Sequence, residues 1–167
     1  MGTSQSVPEL IAAAQANAKI FEDQILKHAD GQDESDAQAQ DLNAAIVALE
    51  LAAVDTFTLF ESRMQHHFKR GPFSRKLRAL LLGAGRTDLA DRIHTYYLAI
   101  NVLKHGTGAS YRELRDAPTA LFRVRPVESV ASGGEHAPLG LIDVSAPGFF
   151  DGLATTLLEA HQFLENK

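Results

Sequence analysis

The sequence predicts a mainly α-helical fold: an antiparallel bundle of four main helices and one short one, with a small two-stranded β-ribbon in the C-terminal third. Three observations carry this expectation. Long stretches repeat apolar residues with a period near 3.6 and have no proline or glycine inside them. The strongest breaks, Lys69-Arg70-Gly71-Pro72 and Gly83-Ala84-Gly85, fall between those stretches. Alternation of apolar and basic residues, the mark of a strand with one wet face, occurs at Leu121-Phe122-Arg123-Val124-Arg125. With 167 residues, 45% of them hydrophobic, the chain can bury one sizeable core, so residues 1–167 are expected to form a single domain.

Ser6-Val7-Pro8-Glu9 is a helix start, with serine as cap, proline in the first turn and glutamate near the positive end of the dipole. The first helix should run over about 8–29 on the apolar face Leu10, Ile11, Ala14, Ala18, Phe21, Ile25 and Leu26, ending at Asp30-Gly31. Residues 32–40 are polar and acidic and read as a linker or a frayed helix start. A long second helix follows, over about 36–68. Its main stripe is Leu42, Ile46, Leu49, Ala53, Phe60 and Met64, and a second apolar set, Val47, Leu51, Val54 and Leu59, lies on other faces. Such a helix is covered on several sides, in the middle of a bundle or at a subunit interface. Glu50 and Glu61 share a further edge with Phe57 and Phe68, which makes them candidates to pair with histidines, although solvated border glutamates are the commoner case.

A third helix is expected over about 73–82, carrying Arg75, Lys76 and Arg78 beside Leu77, Leu80 and Leu81. Gly83-x-Gly85 is no nucleotide loop, since no strand precedes it and no third glycine follows. The fourth helix, capped by Thr87 or Asp88, should reach His105. After it, 111–116 gives one or two helical turns closed by Pro118, then a strand over 121–125, a glycine-rich loop over 128–140 and a second strand over 139–144 that could pair with the first. Ser145-Ala146-Pro147 starts the last helix, with Phe150, Leu153, Leu157, Ala160, His161 and Leu164 on its face.

Composition narrows the function classes. Without cysteine there are no disulfides and no thiolate metal sites, which suits a reducing compartment. No run approaches 18 uninterrupted apolar residues and the opening MGTSQSVPEL lacks a signal-peptide pattern, so a soluble, cytoplasmic protein with no membrane contact is expected. Charge is segregated: residues 1–60 hold 10 acids and 2 bases, 61–126 hold 5 acids and 13 bases, and 127–167 hold 6 acids and 1 base. A basic middle segment can face phosphates. It can equally pair with acids on neighbouring helices.

The densest set of chemically capable side chains is His94 to Ser110. On a helical wheel Leu89, Ile93, Tyr96, Ala99, Ile100 and Leu103 form a core face, while His94, Leu98, Asn101 and His105 form a second stripe flanked by Tyr97 and Lys104. Gly106 should stop the helix with a positive φ, and Gly106-Thr107-Gly108 turns the chain into Ser110. His94 and His105 lie roughly 16 Å apart along the helix axis, too far to share one metal. His66 and His67 should point in different directions, so neither a metal nor a cofactor is expected. Asn101, Lys104 and His105 meet at one helix end: an imidazole can exchange a proton near neutral pH, and lysine and asparagine can hold a phosphate. Taken alone, His105 also fits as a cation against the helix dipole.

Asn101-Val102-Leu103-Lys104-His105-Gly106, late in a helical bundle, resembles the terminal motif of HEPN-domain proteins, small α-helical modules often found as dimers. In many of them an arginine, a polar residue, three variable residues and a histidine form a metal-independent ribonuclease site at the dimer interface. The resemblance implies that Asn101 is the polar residue and His105 the catalytic histidine. The wheel itself, its opposite face being taken up by the core, leads to the expectation that Asn101, Lys104 and His105, with His94, Tyr97, Ser110 and Arg112 around them, line the principal polar groove and bind a ligand or phosphate. The family's arginine position is occupied here by Ile100. Two function classes follow: an RNA-directed protein of the HEPN kind, either a ribonuclease or a non-cleaving relative, and a non-catalytic dimeric module that binds a nucleotide, an RNA or a protein. A homodimer is expected in both.

Overall fold

The computed structural model describes residues 5–30, 36–129, 140–146 and 148–166. Among them are six α-helices: α1 (Val7–Asp30), α2 (Asp36–Met64), α3 (Phe73–Gly83), α4 (Thr87–His105), α5 (Ala109–Asp116) and α6 (Gly148–Glu165). The fold is mainly α-helical, as the apolar periodicity predicts.

The first helix begins as its sequence dictates, the Glu9 N–H donating to the Ser6 hydroxyl at 3.3 Å. α1 and α2 form an antiparallel hairpin: Phe21 and His28 lie beside Asp41 and Ala45 at one end, Val7 and Ile11 beside Thr56 and Phe60 at the other. α2 lies against α1, α4 and α6 and buries Leu49, Ala53, Phe57, Phe60 and Met64. It is long and apolar enough to cross a membrane by length and composition alone. Its apolar residues run round more of the helix than its neighbours cover, since Val47 and Leu51 remain 42% and 57% exposed. The helix stops at Met64, four residues short of the expected end, because the chain tightens into a 3₁₀ turn over Gln65–His67 before Phe68 goes extended.

At the start of α4 the expected Thr87 or Asp88 cap is not used. Arg86 occupies the cap position without a side-chain hydrogen bond, and Asp88 instead accepts from Arg92 one turn on, at 3.0 Å. The other end is as read: Gly106 has φ +76° and its N–H donates to the Val102 carbonyl at 2.8 Å. α6 runs antiparallel to α4. Arg92 of α4 pairs with Glu159 and donates to the Thr156 hydroxyl at 3.3 Å, while Tyr96 meets Phe149 with ring centroids 5.9 Å apart. Gly152 of α6 sits directly beneath the Tyr96 hydroxyl, where a Cβ would collide.

The two-stranded ribbon is not formed among the described residues. Its place is held by a single antiparallel bridge, Val124 to Ile142, with Arg125 N–H donating to Leu141 O at 2.8 Å and Asp143 N–H to Arg123 O at 3.0 Å. Pairing cannot extend: Pro126 has no N–H to give, a 3₁₀ turn follows at Val127–Ser129, and Val144 N–H folds back onto Ile142 O at 3.0 Å. Residue 139 and most of the expected loop over 128–140 lie outside the described residues. Nor do Arg123 and Arg125 share a wet face. Arg123 is exposed, but Arg125 turns inward, donating to Gly140 O at 3.0 Å and pairing with Asp143 at 3.2 Å.

Candidate functional site

The second stripe of α4 is roofed by α5, which the turn at Gly106 to Gly108 folds back along it. The roof changes the stripe from wet to half-sunk. Leu98 is buried, His94 and Asn101 are half-buried, and only Lys104 and His105, past the roof, stand exposed. Asn101 Nδ2 donates to Ser110 Oγ at 3.1 Å, so the amide that the wheel aims at a ligand is engaged in latching α5 to α4. His94 Nε2 meets Glu113 Oε2 at 2.7 Å. Its ring stacks on Tyr97 with centroids 6.3 Å apart, and Tyr97 in turn leans on Phe57 of α2 at 6.4 Å. Arg112 is exposed on the outer side of α5, and Ile100 is buried at 1% exposure.

The site residues thus divide into two groups. His94, Tyr97, Asn101 and Ser110 join the α4–α5 seam, whereas Lys104, His105 and Arg112 face solvent. A groove of about 650 Å³ between α5 and the bridge segments is lined by Leu114, Arg115, Arg123, Asp143 and neighbours, and a second, between α1 and α2, by Gln24, Lys27, His28 and Asp41. None of the stripe's residues lines either one, which departs from the expectation that a helix with one core face turns its other face to the polar groove. The physical reason is α5, which fills that space.

Neither α2 carboxylate reaches a histidine of the stripe. Burial pushes the Glu61 carboxyl above its ordinary range, and the Lys104 ammonium pulls it partly back. Burial raises Glu50 further, to about 7, against the Gly140 N–H, which donates to it at 3.2 Å, and the Arg125 guanidinium. Glu50 is therefore an anchor for the 140–144 segment, and the histidine partner is Glu113, which the sequence pattern did not single out.

Sequence reasoning also missed the far end of α2. His66 and His67 do not diverge: the 3₁₀ turn brings their rings to 4.2 Å. Glu165 of α6 joins them, its Oε1 lying 3.6 Å from His67 Nε2 and 3.7 Å from His161 Nε2. Compared with protein-family models, curated proteins and solved structures, the chain finds no match.

Proposed function

We propose that the chain is a HEPN-like helical module that binds RNA through its phosphates at the C-terminal end of α4 and does not cleave it. The observation that carries this reading is the make-up of that end. Lys104 and His105 are exposed, Arg112 is exposed on the next helix, and the position where the resembled family has its arginine is Ile100, sunk in the core. Cations and an imidazole in solvent can hold phosphate oxygens. Cleavage needs more: a second group at the reacting phosphate to stabilise developing charge. Asn101, the residue that the resemblance would give such a role, is bonded to Ser110.

Fluorescence anisotropy with labelled single-stranded RNA tests the reading. Binding should weaken with salt with a log–log slope of about −2, as for two or three neutralised phosphates, and should be lost in the double variant Lys104→Glu, Arg112→Glu. RNA incubated with the protein in EDTA should remain intact. Metal-independent cleavage that His105→Ala abolishes would replace the binder with a ribonuclease, and binding indifferent to the double variant would remove the site from α4 altogether.

A homodimer belongs to the same reading, supported by the apolar surface that the α1–α2 hairpin leaves uncovered: Ile20, Leu26, Val47 and Leu51 are all exposed.

A further inference from the structure

We propose that His66, His67 and Glu165 bind a divalent transition-metal ion of the zinc class, clasping the C-terminal end of α2 to that of α6. One ligating atom from each of the three lies within 4.8 Å of the other two. The His67 Nε2 to Glu165 Oε1 separation of 3.6 Å is close to the ~3.3 Å edge of a tetrahedron whose arms are ~2.0–2.1 Å, the usual Zn–N and Zn–O lengths. The third donor, on His66, lies within 4.8 Å of both.

The hydrogen-bond geometry around the cluster suits a cation. His66 Nδ1 lies 2.9 Å from the Arg63 carbonyl, which can only accept, so Nδ1 donates there and Nε2 is the nitrogen that a neutral ring would offer to a metal. A ligating histidine fixed through its other nitrogen by a backbone carbonyl is a recurrent arrangement around protein-bound metals. His67 Nε2 is shut off from solvent, and its nearest partner, Glu165 Oε1 at 3.6 Å, is beyond hydrogen-bond reach; a buried polar atom left so costs free energy, which a metal–nitrogen bond would recover. Two imidazoles with centroids 4.2 Å apart would repel as cations, whereas as neutral rings both can turn a lone pair on one ion. The donor set, imidazole nitrogen with one carboxylate and no thiolate, selects zinc and its neighbours over calcium or magnesium.

His161 lies one turn before Glu165 on α6, with its Nε2 3.7 Å from the same carboxylate oxygen. We assign it as the positioning residue that holds the carboxylate toward α2. His66 and Glu165 are exposed, so the fourth coordination position opens to solvent and takes water.

Isothermal titration of tag-free protein, stripped with EDTA and exchanged into buffer, should show one zinc bound per chain at micromolar affinity or tighter, with a rise in Tm. Cobalt(II) in place of zinc should give the intense visible bands of a tetrahedral site. His67→Ala and Glu165→Gln should each abolish the cobalt bands. His161→Gln should weaken binding by about tenfold while keeping them, as expected for a group behind a ligand. His28→Ala, on α1, should change nothing. Glu165 is exposed, so its variant keeps the fold, which circular dichroism verifies. Absence of saturable binding, or binding unchanged in folded Glu165→Gln, overturns the proposal.

Discussion

Burial lifts the Glu50 carboxyl to about 7 from an ordinary 4.5, while the Gly140 N–H and the Arg125 guanidinium both pull it down. A carboxyl raised in this way binds its proton more tightly in the folded chain than in the unfolded one. Its contribution to stability is whole below the ordinary value and is lost as the pH rises through about 7. Unfolding by urea between about pH 5 and pH 8 should therefore show stability falling by as much as ~3 kcal/mol. Glu50→Gln should flatten that fall and leave the protein more stable than the parent at the alkaline end. A parent curve that is level over the interval would contradict it. At this scale the sequence showed which side chains were chemically capable but not which would meet. Asn101 and Ser110 are close along the chain and their proximity was legible. His94 and Glu113 meet only because α5 doubles back, and His67 and Glu165 only because α6 comes alongside α2. Periodicity within one helix carries no information about such encounters.

Helices α1 to α4 could be read from the chain because each has a continuous apolar stripe and the breaks between α2 and α3 and between α3 and α4 are marked by glycine. The ribbon could not, since alternation says which residues could face a core but not whether a partner segment has N–H groups free to pair, and Pro126 and the turns at either side withhold them. A closer look at α6 gives the prediction for elements. Gly152 would ordinarily weaken a helix by about 1 kcal/mol relative to alanine, yet it is where the Tyr96 hydroxyl rests on the α6 backbone. Gly152→Ala should accordingly destabilise the protein by about 1–3 kcal/mol, the clash outweighing the gain in helix propensity. Adding Tyr96→Phe, which removes the oxygen that collides, should restore part of the loss. Thermal denaturation of the two variants checks it; a more stable Gly152→Ala would mean that α4 and α6 are free to separate.

For the whole molecule, the segregation of charge is partly neutralised inside the fold. Arg92 of the basic middle pairs with Glu159, Arg125 with Asp143, and Lys104 acts on Glu61, while Lys69, Arg70, Arg75, Lys76 and Arg112 stay exposed. Sedimentation at micromolar concentration should report a dimer, and Val47→Glu with Leu51→Glu should convert it to monomer without loss of helix; a parent that sediments as monomer removes the apolar hairpin face as an interface. The placement of α6 bears on how the chain reaches this state at all. Last of the described helices in sequence, α6 lies against α1, α2 and α4 and is tied to the first by Gln15 and Asp151. Without α6, the faces of its neighbours that Leu153, Leu157 and Leu164 cover would lie open to water. The meeting of α1 with α6 is a contact of high sequence separation, whose closure costs loop entropy, and a chain cut before α6 would be a sticky one.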